Sequence, residues 1–201
     1  MPVLLTLCLV LVAFASLAAS SDVDLTRAGG HPRERFPLSV SLQLSGEAAL
    51  DAAARKALTD WNSVSRAALG LMVFIEATSP EVAIAVTIEP ADTARLMGQT
   101  FLRVDATGVI ALPVRVQVSP PRVRGQTPAE VVFYQVLAHE LGHALGLPHV
   151  ADPRSVMCCV HGSVDFRDPA QRQAYVEGRR NPDLRSVQAE LVEHYERFWR
   201  R

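Results

Sequence analysis

The chain has 201 residues, of which 49% are hydrophobic and 20% are charged, and its formal net charge is −1. That length predicts one domain that can bury a core without help from disulfides. The near-neutral charge argues against a protein that binds nucleic acid through a broad basic field, so we expect no nucleic-acid partner.

The first twenty residues predict a signal peptide. Residues 2–19 carry no charge, and the small residues that end this segment suit cleavage after Ala18 or Ser20. A run of about 18 such residues also lies near the lower limit for a membrane span, so an uncleaved N-terminal anchor is the alternative. We therefore expect a secreted, extracellular or periplasmic protein. Residues 21–35 form a loose polar leader, and residues 36–201 form the domain, in which no stretch is apolar enough to cross a membrane.

The order of predicted elements indicates an α/β (α+β) fold. Five strands are expected, at residues 36–44, 71–75, 82–88, 99–104 and 109–118. The second and third are apolar on both faces, as central parallel strands are. A helix capped by Ser45 and ended by Gly70 separates the first two strands, and residues 90–98 form a loop.

A second long helix begins near residue 127. Thr127, Pro128 and Glu130 have the spacing of a capping box, and Gly146 followed by Pro148 marks the end of the helix. The apolar residues between them recur at helical spacing. The end of this helix and the residues directly after it contain three histidines.

Three of those histidines have the spacing of a metal site. His139 and His143 lie one helical turn apart, so both imidazoles can reach one ion. Gly146 lets the chain leave the helix in a left-handed conformation, and that turn returns His149 to the same ion. Three neutral nitrogen ligands suit Zn²⁺ and leave a fourth position for water, which indicates a catalytic site. Glu140, about a quarter turn from His139, can reach that water.

Residues 139–149 resemble the extended zinc-binding motif of the metzincin endopeptidases, H-E-x-x-H-x-x-G-x-x-H. Met157, eight residues beyond His149 and preceded by an Asp-Pro pair, resembles the Met-turn of the matrixin branch, the matrix-metalloproteinase-like enzymes. The order of strands and helices is similar as well. The resemblance extends over roughly residues 36–200.

The resemblance implies a twisted five-stranded mixed sheet, a long helix before it in the core, an active-site helix and a C-terminal helix. It implies a zinc metalloendopeptidase in which His139, His143 and His149 hold one catalytic Zn²⁺. Glu140 is then the general base for a zinc-activated water, and Met157 is a structural floor that does not bind zinc. The substrate is expected to be a protein or peptide that adds as an extended strand to an antiparallel edge strand. Residues 98–104 are the expected edge, with residues 109–118 as the alternative.

Several departures from the matrixin pattern indicate a small bacterial-type secreted form. No Pro-Arg-Cys-Gly segment precedes the domain, and the loop that holds structural metals in animal enzymes is absent, so structural calcium or a second zinc is not implied. Cys158 and Cys159 replace the usual tyrosine and proline. We expect two thiols there, with a vicinal or intermolecular disulfide as the alternative. His161 is expected to be exposed rather than a ligand of a second zinc site.

The remaining C-terminal segment predicts a loop and a helix. Residues 160–180 are expected to form a family-specific loop over the cleft, and residues 183–201 a packed helix whose start is capped by Asn181 and Pro182. His31 and His194 are expected to be isolated histidines without a functional role. The pattern does not define an oligomeric state.

The sequence pattern is also compatible with two other functions. The chain could be a catalytically silent zinc-containing domain that binds peptides, although the intact Glu140 counts against this. It could also be a zinc amidohydrolase that acts on a non-protein substrate, because water activation is the same chemistry in both enzymes.

Overall fold

The computed structural model describes residues 29–79, 81–88, 97–121 and 127–201. The expected signal peptide, the first part of the leader and most of the predicted loop at 90–98 lie outside these ranges. Within the described residues, no helix is both long enough and apolar enough to cross a membrane.

A mixed sheet lies at the centre of the domain, and five strands form it within the described residues. They are β1 Leu38–Leu42, β2 Phe74–Glu76, β3 Ile84–Ile88, β4 Gly98–Phe101 and β5 Val114–Val118. Their spatial order is β2-β1-β3-β5-β4. The first four in that order are parallel, whereas β4 runs antiparallel to β5. The predicted α/β fold with a five-stranded mixed sheet is therefore confirmed.

One edge of the sheet differs from the prediction. The run 71–75 was expected to be a central strand, but β2 is an edge strand, with Phe74 buried and Ile75 and Glu76 exposed. The apolar run reflects packing on the first helix, where the Asn62 side chain accepts hydrogen bonds from the backbone N–H groups of Val73 and Phe74.

β4 lies at the other edge, where the strand at 98–104 was expected. The alternative edge, 109–118, is wrong because β5 lies between β3 and β4. β5 is also shorter than predicted, since Val109 and Ile110 form isolated bridges to Gly30 and Val104 instead of joining the ladder.

Four α-helices surround the sheet in the described part of the chain: α1 Ala48–Leu69, α2 Ala129–Ala144, α3 Pro169–Arg180 and α4 Gln188–Trp199. α1 packs against both α2 and α4. The fully buried Trp61 of α1 donates from Nε1 to the Ala138 carbonyl of α2 at 3.0 Å. This bond attaches the helix that carries the histidines to the core of the domain.

Two of the predicted helix starts are wrong. α1 begins after Glu47, while the Ser45 hydroxyl accepts from the Glu47 N–H and closes the preceding turn. α2 begins one residue later than the capping box requires, with Pro128 as N-cap and no side-chain hydrogen bond there. The predicted end of α1 is confirmed, because Gly70 adopts a left-handed conformation with φ 71°.

The C-terminal segment contains more helix than predicted. Residues 160–180 were expected to form a loop, but α3 occupies their second half and is capped by the Asp168 carboxylate, which accepts from the Ala170 N–H. The predicted cap at Asn181 is wrong, since Asn181 ends α3. Asp183 instead caps a 3-10 turn, Leu184–Val187, that continues into α4.

Residues 29–35, which the sequence pattern assigned to a loose leader, are packed against the domain. The Gly30 N–H donates to the Gly108 carbonyl at 3.0 Å, and the Gly30 carbonyl accepts from Ile110 at 2.9 Å. His31 is fully buried, with Nε2 2.9 Å from the Ala144 carbonyl at the end of α2. These contacts extend the packed structure to residue 29.

Candidate active site

The three histidines predicted from the sequence come together at the C-terminal end of α2. The Nε2 atoms of His139, His143 and His149 lie 3.0 to 3.1 Å from one another. Among the described residues, they form the one group of three or more side chains that could hold a metal ion. His161 is exposed, as predicted, and lies outside this group of described residues.

Gly146 allows His149 to reach the other two histidines. Its φ is 89°, the left-handed conformation that the sequence predicts there. A Cβ atom at this position would also overlap the carbonyl oxygen of Gly29. Both the backbone conformation and the close approach therefore require glycine.

The hydrogen bonds of the two α2 histidines fix their tautomers. His139 Nδ1 lies 2.8 Å from the Val156 carbonyl, and His143 Nδ1 lies 2.8 Å from the Leu147 carbonyl. Because a carbonyl only accepts, both Nδ1 atoms carry the proton and both Nε2 atoms present a lone pair. Two lone pairs directed at each other across 3.0 Å repel unless a cation lies between them. The donor set therefore fits a metal ion, and three imidazole nitrogens suit Zn²⁺.

Burial favours the neutral form that a metal ligand needs. It lowers the pKa of His139 to about 3, with a further contribution from the neighbouring His143. Burial also lowers the pKa of His143 to about 4. Both side chains are therefore neutral throughout the physiological pH range, even before a metal binds.

Glu140 faces the edge strand. Its side chain is buried, and Oε2 accepts a hydrogen bond from the Thr100 hydroxyl of β4 at 2.7 Å. A Cβ atom at Gly98 would approach the Glu140 Cγ and Oε1 atoms to 2.7 Å, so only glycine leaves room for this carboxylate. Burial raises the pKa of Glu140 to about 7, and the Thr100 hydrogen bond opposes that shift.

Met157 is fully buried. It packs against Gly142, where a Cβ atom would overlap the Met157 sulfur and would come within 3.1 Å of Trp61. The Val150 N–H donates to the Met157 carbonyl at 3.0 Å, which connects the segment after His149 to the Met157 turn.

The next two residues form a vicinal disulfide, Cys158–Cys159, instead of the two thiols that were expected. Backbone hydrogen bonds hold both ends of the pair: Cys158 N–H donates to Ser155 at 3.1 Å and Val160 N–H donates to Val150 at 3.2 Å. These bonds hold the backbone on either side of the pair.

The sequence did not indicate three of the residues around the site. Thr100 and Gly98 precede Glu140 by about forty positions, and no local pattern connects them to it. Arg179 follows the histidines on α3, where its guanidinium hydrogen-bonds to the turn that contains Met157. The Asp-Pro pair at 168–169 was the one sequence signal that could have indicated α3.

A mixed sheet with an antiparallel edge strand beside a helix that presents two of three convergent histidines defines a zinc-dependent hydrolase of the metzincin type. The sequence profile of the Matrixin family matches residues 36–171, more than half of the chain. The chain therefore belongs to the matrixin family and is a zinc metalloendopeptidase, with a catalytic zinc and protein or peptide substrates. None of the curated proteins compared with it matches.

Proposed function

We propose that the chain is a secreted matrixin in which His139, His143 and His149 bind the zinc and Glu140 is the general base. The observation that carries this proposal is the convergence of three Nε2 atoms while two of the Nδ1 atoms are engaged by carbonyls. Residues 36–201 constitute the catalytic domain in this proposal, with residues 29–35 packed against it.

If these three histidines bind Zn²⁺, the ion would supply a Lewis acid that polarises the scissile carbonyl and acidifies a water molecule. The carbonyls of Val156 and Leu147 hold the His139 and His143 rings with Nε2 directed at the shared point. The ligands therefore need little reorganisation when the metal binds. Met157 packs against the same helix at Gly142 and, in this proposal, forms the structural floor of the site.

Glu140 moves the proton. It accepts one from the attacking water and delivers it to the leaving amine, so the carboxylate returns to its starting state at the end of the cycle. A pKa of about 7 suits both halves of that transfer at neutral pH. The hydrogen bond from Thr100 engages Oε2, which leaves Oε1 for the transferred proton.

The substrate binds as an extended strand along β4. Within the described residues, β4 pairs with β5 on one side only, so the backbone groups of its other side are available to a peptide. Thr100 lies on this strand and contacts Glu140. A peptide along β4 would therefore pass directly beside the general base.

The proposal that the protein is secreted is supported by its N-terminal sequence. Residues 2–19 are uncharged and end in small residues that suit signal-peptide cleavage after Ala18 or Ser20. N-terminal sequencing of the protein recovered outside the cytoplasm tests this part of the proposal. A chain recovered with Met1 in the membrane fraction would support the uncleaved anchor instead.

The catalytic assignment is tested with a mixed peptide library and a metal determination on the same samples. Glu140→Ala should keep one zinc per chain and lose about 10²- to 10⁴-fold in turnover, because it lacks the proton carrier. Glu130→Ala is the matched control, since Glu130 is an exposed glutamate on the same helix. It should resemble the wild type.

Two results would contradict the proposal. Near-normal turnover of Glu140→Ala would rule out Glu140 as the base. A wild-type chain that binds zinc tightly but cleaves no peptide would favour a silent binding domain or a non-protein substrate.

A further inference from the structure

Helix α3 packs closely on the turn that leads to Met157. Gly178 is buried in this contact, and a Cβ atom there would lie 2.9 Å from the Arg154 Cα and carbonyl oxygen. The contact leaves no room for a side chain, so the last turn of α3 lies directly against the backbone of this turn. Most of α3 lies beyond the residues that match the matrixin profile, 36–171.

The next residue, Arg179, joins three parts of the structure. Its Nη2 donates to the Cys158 carbonyl at 3.1 Å and its Nη1 to the Ser155 carbonyl at 3.4 Å. With the Gln135 amide oxygen facing the guanidinium, that oxygen accepts from Nε and Nη1 at 2.8 Å each. The Tyr175 ring, one turn earlier on α3, lies 4.6 Å from the guanidinium carbon. The guanidinium is therefore held on its face as well as along its edge.

The contacts of Arg179 reach the two elements that surround His139, which are α2 and the turn that contains Val156. Gln135 precedes His139 by one turn on α2, so the two side chains point in similar directions. On the other side, the carbonyls that Arg179 binds belong to Ser155 and Cys158, which bracket the Val156–Met157 pair. The Val156 carbonyl accepts from His139 Nδ1 at 2.8 Å. The Arg179 guanidinium thus joins the helix that carries His139 to the turn that orients its ring.

We propose that Arg179 is a positioning residue for His139: it fixes the Val156 carbonyl relative to α2 and thereby holds the imidazole with Nε2 directed at the metal. This inference rests on the proposed function, because it takes His139 as a zinc ligand. The guanidinium presents five N–H donors along the edge of one planar group, which matches acceptors that lie on two different elements. The three donors of a lysine ammonium radiate from a single nitrogen, so lysine cannot reproduce this set of bonds.

The test measures the zinc dissociation constant by competition with a chromophoric chelator. The measurement is made at a temperature well below the midpoint of thermal unfolding of each metal-free variant. Arg179→Ala should bind zinc roughly 10-fold more weakly, as expected when a group that orients a ligand is lost. Arg179→Lys should also be weakened. The matched control is Arg180→Ala, which removes an exposed neighbouring arginine and should bind zinc within about twofold of the wild type.

A purely structural role gives a different result. Arg179→Ala would then lower the unfolding midpoint but bind zinc as tightly as the wild type, and that outcome overturns the inference. So does an equal loss of zinc affinity in Arg180→Ala.

Gln135→Ala provides a second variant that keeps Arg179 and removes only its contact with α2. It should weaken zinc binding in the same direction, and it carries the test if Arg179→Ala does not fold. In the double variant the two losses should be less than additive, because both changes break the same connection. Strict additivity would overturn the inference.

Failure of the proposed function is distinguishable from failure of this inference. If His139→Ala binds zinc as tightly as the wild type, the proposed ligand set is wrong and the inference falls with it. If His139→Ala loses zinc while Arg179→Ala and Gln135→Ala retain full affinity, the ligand set stands and only the inference is wrong.

Discussion

Acid should destabilise the domain through two buried histidines outside the metal cluster. His31 Nε2 lies 2.9 Å from the Ala144 carbonyl, and His194 is buried on α4. The His31 Nδ1 and His194 Nε2 atoms are buried and have no hydrogen-bond partner in the described part of the chain. From the sequence, both residues were expected to be isolated histidines without a functional role. The structure shows that protonation would place a buried N–H of each ring without an acceptor.

The expected loss follows from the shift in pKa. Burial lowers the pKa of each histidine from the ordinary value of 6.5 to about 4. The unfolded chain therefore binds these protons more readily, so stability is complete above pH 6.5 and is lost as the pH falls towards 4. A shift of about 2.5 units corresponds to about 3 kcal/mol for each histidine. That loss is a large fraction of the free energy of unfolding of a typical domain.

The assay is urea unfolding at pH 7 and pH 4, in the presence of a chelator so that zinc release does not contribute. His194→Gln removes one titrating ring, and its loss of stability between the two pH values should be about 3 kcal/mol smaller than that of the wild type. His139 and His143 titrate in both proteins, so their effects cancel in this difference. His161→Gln, at an exposed position, is the matched control. If His194→Gln loses as much stability in acid as the wild type, the lowered pKa of His194 is wrong.

Three further predictions concern glycines and a hydroxyl beside the site. Gly98→Ala should displace the Glu140 carboxylate and lower kcat/KM by about 100-fold with zinc content unchanged, measured by peptide cleavage and metal analysis. Thr100→Val removes a bond that lowers the pKa of Glu140, so the acidic limb of the pH profile of kcat/KM should move to higher pH. Gly142→Ala should lower the free energy of unfolding by about 1 to 3 kcal/mol in chemical denaturation, because the new methyl group overlaps Met157.

The metal cluster could be predicted because its geometry is local. His139 and His143 are related by one helical turn, and a single glycine at 146 determines where the chain turns before His149. Each of these relations depends on helix geometry and on the absence of a Cβ atom, both of which are visible in eleven consecutive residues. The structure therefore brings together the same three histidines that the spacing selects.

The surroundings of Glu140 could not be predicted in the same way. Thr100 and Gly98 reach the carboxylate because β4 pairs with β5 at the edge of the sheet, next to α2. That neighbourhood depends on the spatial order of the strands, which differs from their order in the sequence. Only the edge position of this strand was expected, and its polar contact with Glu140 was not.

Errors in the predicted elements have a similar cause. The run at 71–75 is apolar because Val73 and Phe74 pack on α1, and a local pattern cannot distinguish this from burial in the middle of a sheet. α3 buries only Gly178, so it lacks the apolar stripe by which a helix is recognised. Its hydrogen bonds to the Met157 turn are made by Arg179, a residue type that hydrophobic periodicity does not consider.

The segment before β1 and helix α4 both contact the C-terminal end of α2. The last carbonyls of a helix have no partner within it and need one elsewhere. Here the Ala144 carbonyl pairs with His31, and the Leu145 carbonyl accepts from the Tyr195 hydroxyl at 2.9 Å. One partner comes from the segment before β1 and the other from α4. Because His143 and Gly146 flank these carbonyls, the partners that satisfy the end of the helix also fix the point where the chain turns towards His149.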